Sequence, residues 1–173
     1  MAHSIELLFD AATEAKLRLI WDGLLTAGLP SQAKVTSPSN RPHVTVAVSG
    51  HIHAHVDDGL RELRDRFPFA CTVGAPLVFG TGRFTLARLV LPTDELMGLH
   101  RAVHDRTVSH MAPGPAPHST PGHWTAHATL ARRLRAEEVG AALTVPHVGA
   151  DLRGSFVGLR RWDGAQRVEY RLI

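Results

Sequence analysis

Arg41-Pro42-His43-Val44-Thr45-Val46-Ala47-Val48 is the stretch on which the fold turns. In a strand, successive side chains point to opposite faces, so residues two apart share one face. His43 and Thr45 then share one face. Val44, Val46 and Val48 share the other and are expected to enter a core. A strand half buried in this way holds its polar pair rigidly toward a groove. Thr125 to Ala131 alternates in the same manner, with His127 and Thr129 on one side and Ala126, Ala128 and Leu130 on the other.

Working outward, Ser4 to Phe9 reads as a short apolar strand, and Asp10 caps the helix after it. Leu17, Ile20, Trp21, Leu24 and Leu25 recur at helical spacing as its buried stripe, and Gly28 and Pro30 stop it. A polar loop over 31–41 leads to the His43 strand. Val56 to Phe67 has helical spacing with Leu60, Leu63 and Phe67 inward, and Phe69 to Phe79 and Arg83 to Leu91 are strands. A helix from Thr93 to about Ser109 buries Leu96, Leu99, Val103 and Val108. Met111 to Gly122, with four prolines, reads as loop. After the Thr125 strand come a short helix, Ala136 to Leu143, and strands over Val148 to Trp162 and Arg167 to Ile173.

The order strand, helix, loop, strand, helix, strand, strand thus occurs twice, with each His-x-Thr strand at the same point of its half. An α+β protein is expected, a duplicated two-lobed fold whose two antiparallel-rich sheets flank a central groove with helices outside. One two-lobed domain spans 1–173, its halves meeting near residues 83 and 84.

Composition narrows the function. The 173 residues are 44% hydrophobic and 20% charged, ordinary for a globular chain and unlike a disordered one. Apolar runs such as Ile5 to Phe9 are too short to cross a bilayer. Met1-Ala2-His3-Ser4 lacks a basic stretch before an apolar run, so no signal peptide is expected and the cytoplasm is the expected location. Cys71 is the only cysteine, which excludes a disulfide scaffold and a Cys-based zinc site. Lys16 and Lys34 are the only lysines; the other basic residues are arginines, which suit bidentate phosphate binding. There is no glycine-rich phosphate loop with a following lysine and no Gly-x-Ser-x-Gly elbow.

The twelve histidines carry the chemical signal, because imidazole titrates near neutral pH. Four His-x-Thr tripeptides occur. His118-Ser119-Thr120 and His123-Trp124-Thr125 lie in or beside the proline-rich loop, where nothing enforces a common face. His43-Val44-Thr45 and His127-Ala128-Thr129 lie on alternating strands at matched points, and that context singles them out.

Arg41-Pro42-His43-Val44-Thr45-Val46 and His127-Ala128-Thr129-Leu130-Ala131-Arg132 resemble the paired His-x-Thr/Ser-x motifs of the two-histidine phosphoesterase superfamily, in particular its 2′–5′ RNA ligase-like and cyclic-phosphodiesterase branch. The resemblance covers essentially the whole chain. It implies a metal-independent phosphodiesterase, without cofactor, acting on RNA or a nucleotide with a 2′,3′-cyclic or 2′–5′ phosphodiester. The resemblance also implies that the same site can run in reverse as an RNA ligase. His43 and His127 would flank the phosphorus as acid and base, in an order the sequence leaves open. Thr45 and Thr129 would hold the non-bridging oxygens. Arg132 is the candidate further phosphate contact, and Trp124 and Phe84 are candidates to stack on a base. A monomer with no membrane association is expected.

Two other readings compete. One is a non-catalytic RNA- or nucleotide-binding module of the same fold. The other is a His-rich metalloenzyme centred on His51, His53 and His55, near Asp57; Gly50 and the helical pattern that follows point instead to a turn there. His100 and His104, four apart on a helix, form a second possible metal pair, and surface or partly buried positions are the plainer reading.

Overall fold

The computed structural model describes residues 2–173. The chain is α+β, with strands β1 (His3–Phe9), β2 (His43–Ile52), β3 (Phe69–Phe79), β4 (Phe84–Val90), β5 (Met111–Pro115), β6 (His127–Leu134), β7 (Leu152–Asp163) and β8 (Val168–Arg171). Its helices are α1 (Ala11–Thr26), α2 (Val56–Arg61), α3 (Asp94–Thr107) and α4 (Ala136–Leu143). Among the described residues no helix is long and apolar enough to cross a membrane.

The repeated order is visible in the pairings. β1 pairs with β2 and β7, and β4 pairs with β6 and β3, all antiparallel. Each half's histidine strand therefore lies beside its own first strand, while the last strands, β3 and β7, cross to the other half. β3 and β7 also pair with each other, from Phe69↔Phe156 to Val73↔Leu152. β2 and β6 meet at one pair, Val44↔Ala128. The strands of the two expected sheets are thus joined into one hydrogen-bonded sheet, with β5 on β2 and β8 on β7 as flanking strands.

Local chemistry fixes the elements. The Asp10 side chain accepts from Thr13 N at 2.9 Å and Thr13 Oγ1 at 2.8 Å, closing the first turn of α1. The same carboxylate accepts from Ser155 N at 2.6 Å, tying α1 to β7. Gly154 permits that approach, since a Cβ there would collide with Thr13 Oγ1. Thr93 caps α3 by accepting from Leu96 N. The core runs through both halves and includes Ile5, Leu7, Ile20, Val44, Leu86, Leu130 and Phe156, all fully buried.

Arg88 on β4 is also fully buried. It donates to the carbonyls of Gly74 (2.6 Å), Val73 (3.2 Å), His147 (3.0 Å) and Ala150 (2.6 Å). Burial lowers its pKa, opposed by Asp151.

Several expectations are corrected. Leu25 and Val108 are 41% and 38% exposed, so neither belongs to the buried stripe of its helix. The 56–67 helix stays α-helical only to Arg61, and Glu62–Arg66 tighten into a 3₁₀ turn. The final long strand begins at Leu152, because residues after Val145 turn under the Arg88 guanidinium. Met111–Pro115, read as loop, is an edge strand. Proline is tolerated where no ladder N–H is needed, and Ser49 Oγ ties the strand down by donating to Ala112 O and Gly114 O. β2 does not stop before Gly50 but runs to Ile52. A register shift between Ile5 and Glu6 leaves Val46 as the extra residue of a bulge. The alternation flips there, so Ala47 and Ser49 are buried and Val48 is turned to the groove side.

Candidate active site

The one bridge between the histidine strands sets the site. Around an antiparallel Val44↔Ala128 pair, His43 stands across from Thr129 and Thr45 across from His127. All four are half buried, while Val44, Ala128, Val46 and Leu130 are buried on the opposite face. Directly opposed residues in such a ladder have Cβ atoms roughly 4.5–5.5 Å apart, and diagonal ones about 7–8 Å. The two imidazoles are thus diagonal neighbours on one face, each beside the other strand's threonine.

The rings are held in the same way. His43 Nδ1 lies 2.7 Å from Arg41 O, and His127 Nδ1 lies 2.7 Å from Thr125 O. A carbonyl only accepts, so Nδ1 carries the hydrogen in each ring. In the neutral form Nε2 is then the free acceptor.

Their surroundings differ. Burial lowers the pKa of His127; the bond to Thr125 opposes this, and Arg132 and His43 push it further down. The Phe79 ring lies 4.8 Å from the His127 ring. His43 faces a carboxylate, with Nε2 3.6 Å from Glu6 Oε1. Glu6 is buried, accepts from Ser4 Oγ (2.5 Å) and from Arg160 Nε (2.8 Å), and forms an ion pair with Arg160 Nη2 at 2.7 Å. Desolvation alone would raise the Glu6 pKa, but His43, Arg160 and Ser4 together hold it below the ordinary carboxylate value.

A cavity of about 330 Å³ opens beside His43 and Thr45, lined also by Glu6, Asn40, Arg132 and Trp162. A smaller pocket next to it is lined by His43, Thr129, Arg132 and Trp21. Arg132 thus borders both, and its side chain is exposed. Asn40 is fixed by donating from Nδ2 to Gln32 O and Val35 O, which pins the loop along the cavity rim.

Neither aromatic candidate lines these cavities. Phe84 packs against the core and does not line these cavities. Trp124 stacks on the buried His100, with ring centroids 3.9 Å apart and planes 13° apart. Its Nε1 donates to Thr45 O at 3.0 Å. Trp21 Nε1 donates to Thr129 O at 3.1 Å. His118 and His123, which fit the same tripeptide, are exposed loop residues, and His118 has a left-handed backbone (φ 61).

Glu6, Trp21, Phe79 and Arg160 were not singled out by sequence. Glu6 had one available signal, a lone acid in the apolar run Ile5-Glu6-Leu7-Leu8-Phe9. Trp21 carried the ordinary signature of a core residue, and it is one, at 3% exposure.

The other histidines form a separate group. His51 packs edge-on against His3 (4.5 Å between centroids) and His53 (4.6 Å). His3 is buried and lies 3.3 Å from Asp163. Among the described residues no group of three or more His, Cys, Asp or Glu side chains is arranged to hold a metal ion.

No protein-family model and no curated protein sequence matches the chain. Solved structures do. Usb1 of Kluyveromyces marxianus with uridine monophosphate matches over 99% of this chain and 96% of its own, at TM-score 0.55 and 11% identity. Escherichia coli LigT in apo form matches over 99% and 94%, at TM-score 0.57 and 15% identity. LigT complexed with 3′-AMP matches over 98% and 92%, at TM-score 0.58 and 18% identity. A phosphoesterase structure also matches, over 98% of this chain and 93% of its own, at TM-score 0.54 and 15% identity. The fold implied by the two His-x-Thr strands is therefore the fold that this chain adopts end to end.

Proposed function

We propose that the chain is a metal-independent phosphodiesterase that opens a 2′,3′-cyclic phosphate or cleaves a 2′–5′ linkage at a nucleotide or RNA end. The observation that carries this reading is the Val44↔Ala128 bridge, which sets two histidines and two threonines around one point on one face. The fold neighbours crystallised with uridine monophosphate and 3′-AMP support a nucleotide as the ligand.

The roles follow from the surroundings. His127, lowered by burial, is the free base at neutral pH and takes a proton from water through Nε2. The water oxygen bonds to phosphorus as the bond from phosphorus to one ribose oxygen breaks. His43 gives its Nε2 proton to that leaving oxygen, and Glu6 supplies negative charge next to the ring that must carry it. The product is a phosphomonoester with a free neighbouring hydroxyl. The Thr45 and Thr129 hydroxyls donate to the non-bridging oxygens, and Arg132 balances their charge. With a 5′-hydroxyl in place of water the same groups would run the ligation: His127 takes the hydroxyl proton, that oxygen bonds to phosphorus as the bond to the 3′ ribose oxygen breaks, and His43 protonates the leaving oxygen, which leaves a 2′–5′ phosphodiester.

The test is turnover of 2′,3′-cyclic mononucleotides by the pure protein in a strong chelator. Two imidazoles and two hydroxyls already supply acid, base and phosphate contacts, so activity should survive. Loss of turnover on chelation, restored by zinc, would replace this reading with a metalloenzyme. Binding of a nucleotide without turnover would leave a non-catalytic binding module.

A further inference from the structure

The ladder between β2 and β6 stops after one pair. Beside that bridge, the backbone carbonyl of each motif threonine receives an indole N–H from the other half of the chain. Trp124, three residues before His127, bonds to Thr45 O at 3.0 Å, and Trp21 of α1 bonds to Thr129 O at 3.1 Å. We propose that Trp21 and Trp124 are a reciprocal pair of positioning residues, each indole setting where the opposite half's threonine hydroxyl stands over the bound phosphate. This rests on the phosphodiesterase reading above.

Each indole is itself fixed, which a positioning group requires. Trp124 lies flat on His100, which is fully buried and whose Nε2 is 3.0 Å from Ser119 O. Trp21 is 3% exposed, and its own carbonyl accepts from Ser31 Oγ at 2.6 Å. The arrangement explains how strands that share one backbone pair hold four side chains in register. Without the cross-ties, β2 and β6 would be free to splay on either side of Val44↔Ala128. A displacement of about 1 Å at a reacting centre costs on the order of 10²-fold in rate.

A double-mutant cycle on turnover of a 2′,3′-cyclic nucleotide tests the assignment. Trp124→Phe keeps an aromatic ring beside His100 and removes the N–H together with one ring of the indole, a packing loss that is the same in either threonine background. It should lower kcat roughly tenfold with a smaller change in KM. In a Thr45→Val background the same substitution should have almost no further effect, because the hydroxyl that it positions is already gone. In a Thr129→Val background the full loss should persist. Trp21→Phe should show the mirror image, silent with Thr129→Val and fully expressed with Thr45→Val. Equal losses in both backgrounds would mean that the indoles merely stabilise the fold, and would overturn the proposal. Indole N–H exchange in the unmodified protein is the second readout, valid even if a variant fails to fold. Trp21 and Trp124 should exchange far more slowly than Trp162, whose indole makes no hydrogen bond among the described residues. Equally fast exchange of all three would overturn it too. A wild-type protein that turns over no cyclic nucleotide, with both indoles protected, would instead bring down the phosphodiesterase reading and leave the cross-ties as structure alone.

Discussion

Among the described residues Val44 and Ala128 form the only backbone pair between β2 and β6, and the four candidate residues flank that pair on one face. A single register position therefore decides whether the two halves build one site. A slip of one residue on either strand would turn its histidine and threonine into the core and its apolar residues into the groove.

Arg88 should prove one of the most costly core residues to replace. Its guanidinium is buried among four carbonyls, which lose their donor in Arg88→Met. A stability loss of roughly 2–4 kcal/mol follows from leaving such groups unsatisfied. Arg133→Ala, at an exposed position, should stay within about 0.5 kcal/mol. Denaturant unfolding of both variants checks the contrast, and equal effects would show that Arg88 is not held as described.

The alternation of His43 to Val46 and of His127 to Leu130 made the site strands readable, because a regular strand keeps its two-residue period; past the bulge at Val46, which pairing with β1 imposes, the period no longer told which side Val48 faces. Arg88 shows the opposite case. In Leu86-Ala87-Arg88-Leu89-Val90 an arginine reads as solvent-facing, and only the tertiary fold brings together the β3 carbonyls of Val73 and Gly74 and those of the turn after Val145 that bury it. The β5 strand was illegible because Met111-Ala112-Pro113-Gly114-Pro115 has no strand propensity; its pairing is supplied by β2 and the Ser49 hydroxyl. Likewise, Trp124 beside a motif histidine invites a stacking role, and nothing in sequence reveals that His100 already occupies its face.

Glu6 should make the protein acid-sensitive. Its folded pKa lies below the ordinary 4.5, so the carboxylate adds stability that is complete above that value. This contribution is lost as pH falls through the folded value. Glu6→Gln should lower stability by about 3 kcal/mol at pH 7, the cost of removing one partner of a buried pair. Arg160 keeps Glu169 as a second partner, which places the cost at the low end of that range. The gap between variant and wild type should narrow in acid, below the ordinary value of 4.5. Unfolding curves at neutral and acid pH measure it; a gap independent of pH would show that Glu6 is not ionised where it sits.

Arg132 borders both cavities and is exposed, so it should act on the ligand and not on folding. Arg132→Ala should raise KM for a cyclic nucleotide about tenfold, the worth of one charge-assisted hydrogen bond discounted for solvent. The salt dependence of KM should weaken with it. An unchanged KM would remove Arg132 from the phosphate contacts.

The most direct measurement is turnover of a 2′,3′-cyclic nucleotide by His43→Ala and His127→Ala, with His118→Ala and His123→Ala beside them. Each of the first two should fall by about 10²-fold or more, the usual worth of a general acid or base. Their folding should be nearly unchanged, because both rings are half exposed on the groove face. The double variant should be far from additive if both serve one concerted step. The two loop variants should keep full activity. Turnover that survives loss of His127 and disappears with His118 or His123 would contradict a site built around Val44 and Ala128.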